Sequence, residues 1–255
     1  MTDLSERLWQ ARCTGGVVDA DTILTPTSLA DAYAVQHDMA VLSGQPVRGF
    51  KVGSTSAEAQ RTLGTDEPGA GLLLAPFVHE SPARFAIAPA HTPFVEGEFA
   101  YRLGRDLPPR AALYTRDEVA DAVAAVAGAI EVVGTRFAGG LAGKGRLLVT
   151  ADFGANIALV LGAWRHDMRS IDLKPHRVAM TVNGAVRGTG TGARALGDPA
   201  NVLLWLANQQ SAAGRGLKAG DIVSTGTCTG LDPVQPGDRV RADFGDLGAV
   251  DIVFE

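Results

Sequence analysis

The last two-thirds of the chain consist mainly of short β-prone runs, separated by Gly, Pro and Asn-Gly turns. A crossover between parallel strands needs about a dozen residues or more, and many of these connections are shorter. The pattern therefore predicts a largely antiparallel or mixed sheet that folds over itself, with helices at its side. The 255 residues are enough for one large domain, or for one and a half.

Two helices are indicated by the residues at their ends. In the stretch SLADAYAVQHDMAVLSG, Thr27 or Ser28 can cap the start and Gly44 can end the helix. Farther along, Asp198 is a typical N-cap and Pro199 suits the first helical position, so DPANVLLWLANQQSAAG is predicted to be a helix.

Further local signals indicate one more helix, several strands and a hairpin. Thr115 and Glu118 have capping-box spacing, which predicts a helix through TRDEVADAVAAVAGAI. Asn183-Gly184 between two β-prone runs predicts a hairpin. Strands are predicted for VRGFKVGST, GLLLAPFVHE, AIEVVGTRF and ANIALVLGAW.

Composition excludes several classes of protein. The net charge is −5 and no block of Lys or Arg stands out, so a nucleic-acid partner is not indicated. Cys13 and Cys228 are far apart, which argues against a disulfide scaffold or a thiolate metal site. The N-terminus lacks a signal-peptide core, and no run of about 18 apolar residues could span a membrane. We expect a soluble cytoplasmic protein.

Two glutamates lie inside the apolar run TPFVEGEFAYRL. On a strand, Glu96 and Glu98 project from the same face, with backbones about 6.5–7 Å apart. Carboxylates held so close repel each other, and a divalent cation with oxygen ligands would relieve the repulsion. The alternative is the solvent face of an edge strand, but Phe94, Val95 and Phe99 make both faces apolar and favour an interior strand.

Two more charged residues occur in apolar segments. Glu131 in AIEVVGTRF is a candidate third ligand, since an acid among such residues is rarely buried without a partner. Lys51 in GFKVGST could have a pKa lowered by desolvation, which suits proton transfer or polarisation of a carbonyl. The alternative is a lysine whose stem lies on the wet side of a strand.

Six segments occur together in the order seen in one known family: DAYAVQ, GFKVGSTS, VEGEFAYRLGRDLP, AIEVVGTRF, GTGARALGDPANVLLWLANQ and GLKAGDIVSTG. The chain resembles the 2-oxopent-4-enoate hydratase and 4-oxalocrotonate decarboxylase family of the fumarylacetoacetate hydrolase superfamily. The resemblance covers nearly the whole chain. Each motif is modest alone, whereas the ordered set is specific.

The resemblance implies an α+β fold: a mixed β-sandwich roll with a smaller helical N-terminal part. We expect a helical subdomain at residues 1–75, carrying the Lys51 strand, and a β-roll catalytic domain at residues 76–255. The resemblance also implies a Mg²⁺ or Mn²⁺ site at Glu96, Glu98 and Glu131, with Lys51 as the catalytic lysine. It suggests a homo-oligomer, or pairing with a related decarboxylase or hydratase.

Other segments are candidates for substrate binding. In VSTGTCTG, the hydroxyls of Thr225, Thr227 and Thr229 could bind a substrate carboxylate, or the segment could be a turn rich in Thr and Gly. Arg136 and Asp152 fit the family pattern and are also assigned to substrate binding. Arg136 could instead form a surface salt bridge.

The sequence departs from the family pattern at proton-handling positions. Gly69 and Gly134 stand where the family has aspartates, and Asn156 comes three positions after the family's asparagine. Because the glutamates and the lysine remain, the pattern fits retained binding of a 2-oxo acid with an altered substrate or reaction.

The resemblance makes hydration of a 2-hydroxy-2,4-dienoate to a 4-hydroxy-2-oxo acid the leading reaction, by a metal-dependent lyase of aromatic catabolism or of a specialised biosynthesis. The alternatives are decarboxylation of a 2-oxo-dioate such as 4-oxalocrotonate, enol–keto tautomerisation, and a non-catalytic partner subunit. Hydrolysis ranks low, because none of the five histidines shows the H-x-x-E spacing of the superfamily's hydrolases.

Overall fold

Two β-sheets and six α-helices make up the computed structural model, which describes residues 3–167 and 171–255. Within these ranges one sheet has eight strands and the other has five. Both sheets mix parallel and antiparallel pairs. The architecture confirms the predicted α+β class.

The helices are α1 Asp3–Thr14, α2 Leu29–Ser43, α3 Ala57–Leu63, α4 Arg116–Ala120, α5 Gly145–Ala151 and α6 Pro199–Ala212. Ser28 caps α2, and Gly44 ends it in the left-handed conformation, as predicted. Asp198 caps α6 and Pro199 begins it, as predicted. Among the described residues, no helix has the length and apolar content needed to cross a membrane.

The strands are β1 Val47–Gly53, β2 Gly69–Leu74, β3 Val78–Glu80, β4 Ala83–Phe85, β5 Phe94–Leu103, β6 Val123–Val133, β7 Asn156–Leu161, β8 Arg177–Val182, β9 Ala185–Thr191, β10 Ile222–Ser224, β11 Asp232–Pro233, β12 Arg239–Asp243 and β13 Ala249–Phe254. The larger sheet has the order β2-β1-β10-β5-β6-β7-β3, and β11 pairs with β5. The smaller sheet has the order β4-β13-β12-β8-β9. The predicted hairpin is formed by β8 and β9.

One predicted helix is wrong for most of its length. The capping box at Thr115 forms, but α4 ends at Ala120 and β6 begins at Val123. The strand lies between β5 and β7 and is buried on both faces. At Gly128 an added Cβ would lie 2.4 Å from the Phe244 ring, so the sheets approach closely there. Tertiary pairing thus overrides the helix propensity of its alanines.

The larger sheet rolls up with one face inside. A cluster of buried side chains on that face joins strands from opposite ends of the sheet: Leu73, Ala100, Ala129, Leu159, Leu161 and Ile222. Strands β2 and β7 are far apart in the strand order. Their side chains can meet only because the sheet curls, so this face lines the interior of the roll.

The opposite face of the larger sheet packs against the smaller sheet. Phe99 and Phe244 form an edge-to-face pair with centroids 5.6 Å apart. At Gly97 there is little room for a side chain, since an added Cβ would lie 3.0 Å from Val178 Cγ1 and 3.1 Å from Thr229 Cγ2. The two sheets therefore approach closely at Gly97.

Helix α2 covers the edge of β2 that faces away from β1, at the end of the larger sheet. The buried Gln36 side chain donates from Nε2 to the carbonyls of Ala70 and Thr150, and Oε1 accepts from Leu72 N at 3.1 Å. An edge strand with unpaired backbone groups is prone to unwanted pairing, and this amide satisfies two of those groups.

The predicted boundary at residue 75 stays a prediction. Strands β1 and β2 precede it, yet both belong to the larger sheet, and β1 pairs in parallel with β10. Lys51 is thereby attached to the same sheet as the glutamates.

Candidate active site

The strand register puts the predicted residues on one face of the larger sheet. Glu96 of β5 lies directly opposite Glu131 of β6. Lys51 of β1 lies opposite Ser224 of β10, which lies opposite Ala100 of β5. Cross-strand partners share a face, and so do residues two apart on a strand. The three glutamates and Lys51 therefore all face the interior of the roll.

The three carboxylates converge. One oxygen of each of Glu96, Glu98 and Glu131 lies within 4.8 Å of the other two. Glu98 and Glu131 are fully buried, and Glu96 is partly exposed. Burial and the charge of Glu131 raise the pKa of Glu96 to about 7. Burial, together with the charges of Glu131 and Glu96, raises the pKa of Glu98 well above its ordinary value.

Each buried glutamate has one oxygen engaged by protein donors. Glu98 Oε2 accepts from Ser224 Oγ and from Gly226 N at 3.0 Å. Glu131 Oε1 accepts from Asn156 Nδ2 at 2.9 Å and lies 3.2 Å from Lys51 Nζ.

The other oxygens, Glu98 Oε1 and Glu131 Oε2, have no hydrogen-bond partner within residues 3–167 and 171–255. Unpartnered buried carboxylate oxygens are costly. An all-carboxylate set with such oxygens suits a hard divalent cation. The three glutamates therefore fit a metal site.

Lys51 is buried beside this cluster. Its Nζ donates to the Gly154 carbonyl at 2.9 Å as well as pairing with Glu131. Burial acts to lower the pKa of Lys51, as expected, but the charges of Glu131, Glu98 and Glu96 outweigh it and raise the pKa. The expectation of a lowered pKa is wrong for this arrangement, and burial rules out a stem on the wet side of a strand.

The loop after α5 can approach Lys51 because Gly71, the residue of β2 that pairs with Lys51, has no side chain. At Gly71 an added Cβ would lie 2.1 Å from the Phe153 carbonyl oxygen. Gly154 has φ +63, a backbone conformation that favours glycine. These two glycines let the Gly154 carbonyl approach the ammonium group.

The hydroxyls of the three predicted threonines have different hydrogen-bond partners. Thr225 Oγ1 donates to the Phe99 carbonyl at 2.9 Å, and Thr229 Oγ1 accepts from Gly97 N at 2.9 Å. Both hydroxyls therefore fasten the turn to β5. Thr227 accepts from Gly230 N at 2.7 Å, and its hydroxyl also interacts with Glu96. Their predicted contact with a substrate stays a prediction.

Arg136 and Asp152 form a fully buried ion pair. Arg136 Nε lies 2.6 Å from Asp152 Oδ1, and Thr135 Oγ1 donates to Asp152 Oδ2 at 2.7 Å. Arg136 also donates to the carbonyls of Asp152 and Asn156. The pair is not at the surface, and its predicted role in substrate binding gains no support from this geometry.

The family model described as fumarylacetoacetate (FAA) hydrolase C-terminal matches residues 74–254. This range is more than half of the chain, and it includes the three glutamates.

The chain belongs to the fumarylacetoacetate hydrolase family.

Relatives of the chain within this family include named hydratases. The 2-keto-4-pentenoate hydratase of Paraburkholderia xenovorans (strain LB400) is 34% identical over 229 residues, which are 88% of this chain and 83% of the relative. The 2-hydroxyhexa-2,4-dienoate hydratase of Comamonas testosteroni is 32% identical over 257 residues, covering 98% and 94%. These names agree with the predicted family.

Solved structures give the same result. The 4-oxalocrotonate decarboxylase from Pseudomonas putida G7, complexed with magnesium and adipate, has a TM-score of 0.87 and 25% identity, covering 99% of this chain and 96% of that chain. The fumarylpyruvate hydrolase of Pseudomonas aeruginosa has a TM-score of 0.61 at 16% identity, covering 83% and 91%, and shows the shared fold alone. The predicted fold of the fumarylacetoacetate hydrolase family is confirmed.

Sequence reasoning missed several residues that this family fold brings to the site. Ser224 lies within DIVSTG, part of one of the six segments that carry the family resemblance. The alternation of faces along β10, the strand that pairs with the Lys51 strand, could have identified it. Asn156 was noted only as a departure. Arg194 is exposed, and its charge acts against the rise in the pKa of Glu96. Arg12 lies on α1, and nothing in the sequence links that helix to the site.

Proposed function

We propose that the chain is a metal-dependent lyase that hydrates a 2-hydroxy-2,4-dienoate to a 4-hydroxy-2-oxo acid. The observation that carries the proposal is the pair of unpartnered buried oxygens, Glu98 Oε1 and Glu131 Oε2, beside the buried Lys51. The relatives named as hydratases, which match 88% and 98% of the chain, support this choice of reaction.

Glu96, Glu98 and Glu131 would hold Mg²⁺ or Mn²⁺, both of which prefer oxygen ligands. When bound, such a cation supplies Lewis-acid stabilisation of the negative charge that develops on the 2-oxo group of the substrate. The magnesium named in the complex of the decarboxylase from Pseudomonas putida G7 supports this assignment.

Lys51 would handle protons. A lysine ammonium has three donors, and two are directed at the Gly154 carbonyl and Glu131. The third can serve a substrate atom. Because the carboxylate charges raise the pKa of Lys51, positive charge bound among them makes Lys51 a better proton donor.

The reaction balances with one water. The dienol gains a proton at C5, the far end of the diene, as its 2-hydroxyl loses one. This leaves an alkene conjugated to the 2-oxo group. Water then adds across that alkene, with the hydroxyl on the carbon farther from the oxo group and the proton on the nearer carbon. Lys51 is the residue to which we assign the transfer of these protons.

Decarboxylation of a 2-oxo-dioate is the second candidate. It is favoured by the likeness to 4-oxalocrotonate decarboxylase over 99% of the chain. It is also favoured by Arg194, a cation whose charge acts on Glu96 and could bind a second carboxylate. The oxocarboxylate end of such a substrate would bind as in the hydration.

The test is a turnover assay with Mg²⁺ or Mn²⁺ on a panel of 2-hydroxy-dienoates and 2-oxo-dioates. Loss of the dienol absorbance, with a product one water heavier by mass spectrometry, is the expected result. Glu98→Gln should abolish it, whereas Glu80→Gln, at an exposed position, should not. Release of CO₂ without hydration would identify a decarboxylase. Tautomerisation alone, or binding of Mn²⁺ without turnover of any substrate, would contradict both lyase reactions.

We also propose a homo-oligomer, or a pairing with a related decarboxylase or hydratase. The family resemblance supports this assembly. Sedimentation velocity of the purified chain, alone and mixed with such a relative, is the test, and a monomer in both samples would contradict it.

A further inference from the structure

We propose that Asn156 is a positioning residue that holds Glu131 so that Oε2, not Oε1, faces the cation. The inference rests on the proposed metal site, but it does not depend on which reaction the site performs.

The contacts of Glu131 support this role. Asn156 is 1% exposed, and its Nδ2 donates to Glu131 Oε1 at 2.9 Å. Lys51 Nζ lies 3.2 Å from the same oxygen. A carboxylate is planar and rigid, so two donors on Oε1 fix the direction of Oε2. That second oxygen is the one left without a partner among the described residues.

A bulge in β7 brings Asn156 to this face. Val132 pairs with Ala158, but Val133 pairs with Asn156, so Ile157 is an extra residue in the strand. Without the bulge, Asn156 would face away from the interior of the roll, because a one-residue shift moves a side chain to the other face. With the bulge it pairs with Val133, which shares the face of Glu131. Bulges often redirect a side chain in this way.

Two arginines fasten the bulge. Arg12 from α1 and Arg136 both donate to the Asn156 carbonyl, at 2.7 and 2.8 Å. Arg12 also donates to the Ile157 carbonyl at 2.7 Å, and Asp152 holds Arg136. The backbone of Asn156 is thus fixed, and its amide has a defined position. This arrangement gives the Arg136–Asp152 pair a function that does not involve the substrate.

The experiment compares Asn156→Leu with Asn208→Leu. Leucine is close to asparagine in size but cannot donate. Asn208 on α6 exchanges hydrogen bonds with the Tyr114 backbone and serves as the matched control. Mn²⁺ affinity is measured on the metal-free proteins by titration calorimetry or electron paramagnetic resonance. Asn156→Leu is expected to weaken Mn²⁺ binding by about 10–100-fold, and Asn208→Leu is expected to leave it unchanged.

A purely structural role would lower thermal stability without changing the Mn²⁺ affinity, and that result would overturn the proposal. If Asn156→Leu does not fold, a crystal structure of the wild-type protein with Mn²⁺ decides. We expect Oε2 of Glu131 on the ion and Asn156 Nδ2 still bonded to Oε1. Oε1 on the ion, or Asn156 turned away, would overturn the proposal. A wild type that binds Mn²⁺ but turns over no dienoate would contradict the proposed reaction and leave this inference intact.

Discussion

At the scale of single residues, the site is defined by which oxygen of each carboxylate is engaged. Ser224 and Gly226 hold one oxygen of Glu98, and Asn156 and Lys51 hold one oxygen of Glu131. The remaining oxygens, Glu98 Oε1 and Glu131 Oε2, have no partner among the described residues. Burial, together with like charges, raises the pKa values of Glu96 and Glu98. Such an arrangement is stable when a cation is shared between the carboxylates.

Replacing Lys51 tests the proton transfer. Lys51→Met should lower kcat by a factor of about 10²–10⁴, as expected for loss of a general acid–base group. Its Mn²⁺ affinity should not fall, because the substitution removes a positive charge next to the cation site. Steady-state kinetics and Mn²⁺ titration measure the two effects. A Lys51→Met enzyme as active as the wild type would remove Lys51 from the mechanism.

Metal affinity should depend on pH. In the metal-free protein the pKa of Glu96 is raised to about 7 and that of Glu98 is raised well above its ordinary value, so both must lose protons to bind a cation. Mn²⁺ affinity should therefore fall by about tenfold per pH unit for each proton released as the pH is lowered from ~8 to ~6. Calorimetry in buffers of different ionisation enthalpy would count the protons. A pH-independent affinity with no proton release would contradict the prediction.

The stability of the metal-free protein has the opposite dependence. The pKa of Glu96 is about 7 in the folded state against an ordinary value of 4.5, so between these values the folded state binds more protons than the unfolded state. The free energy of unfolding should then decrease as the pH rises through this window. Thermal unfolding in the presence of a chelator measures the trend, and an increase with pH would contradict it.

At the scale of elements, the register of the strands builds the site. Alternation on β5 was enough to predict that Glu96 and Glu98 share a face, and the structure has them so. The partner strand was harder to predict, because the segment before Glu131 is rich in alanine and follows a genuine capping box. The bulge that turns Asn156 inward leaves no signal in the sequence, since one extra residue changes the pairing but not the composition.

Two glycines on β2, Gly71 and Gly69, differ in how closely other atoms approach them. At Gly71 an added Cβ would overlap the Phe153 carbonyl, whereas at Gly69 the nearest atom, Thr150 Oγ1, is 3.9 Å away. Gly71→Ala should lower the free energy of unfolding by about 1–3 kcal/mol. It should also lower kcat, because the Gly154 carbonyl that binds Lys51 would move. Gly69→Ala should change stability by less than about 0.5 kcal/mol. Denaturant unfolding and kinetics measure both, and equal effects would contradict the packing argument.

At the scale of the whole molecule, helix α1 is tied to the active site through Arg12. Its guanidinium lies 3.8 Å from the centroid of the Phe77 ring and donates to the start of β7. The family motifs predicted the roll, the glutamates and Lys51. They could not predict this brace, because it joins residues 144 positions apart in the sequence.

Arg12→Met should therefore lower the stability of the protein substantially, although Arg12 is far from the site in the sequence. We expect the free energy of unfolding to fall by about 2–3 kcal/mol, from the loss of hydrogen bonds by a half-buried charged group. Arg7→Met on the same helix removes bonds to Thr22 at the surface and should cost less than about 1 kcal/mol. Chemical denaturation compares the two variants. Equal losses would mean that Arg12 does not brace β7.

The most direct test of the proposed metal site is the dependence of dienoate hydration on a divalent cation. Wild-type protein is treated with a chelator, dialysed, and assayed on a 2-hydroxy-2,4-dienoate before and after addition of Mg²⁺ or Mn²⁺. We expect no turnover by the metal-free protein and recovery of turnover with either ion. Full turnover by the metal-free protein would contradict the claim that Glu96, Glu98 and Glu131 hold a cation that the reaction needs.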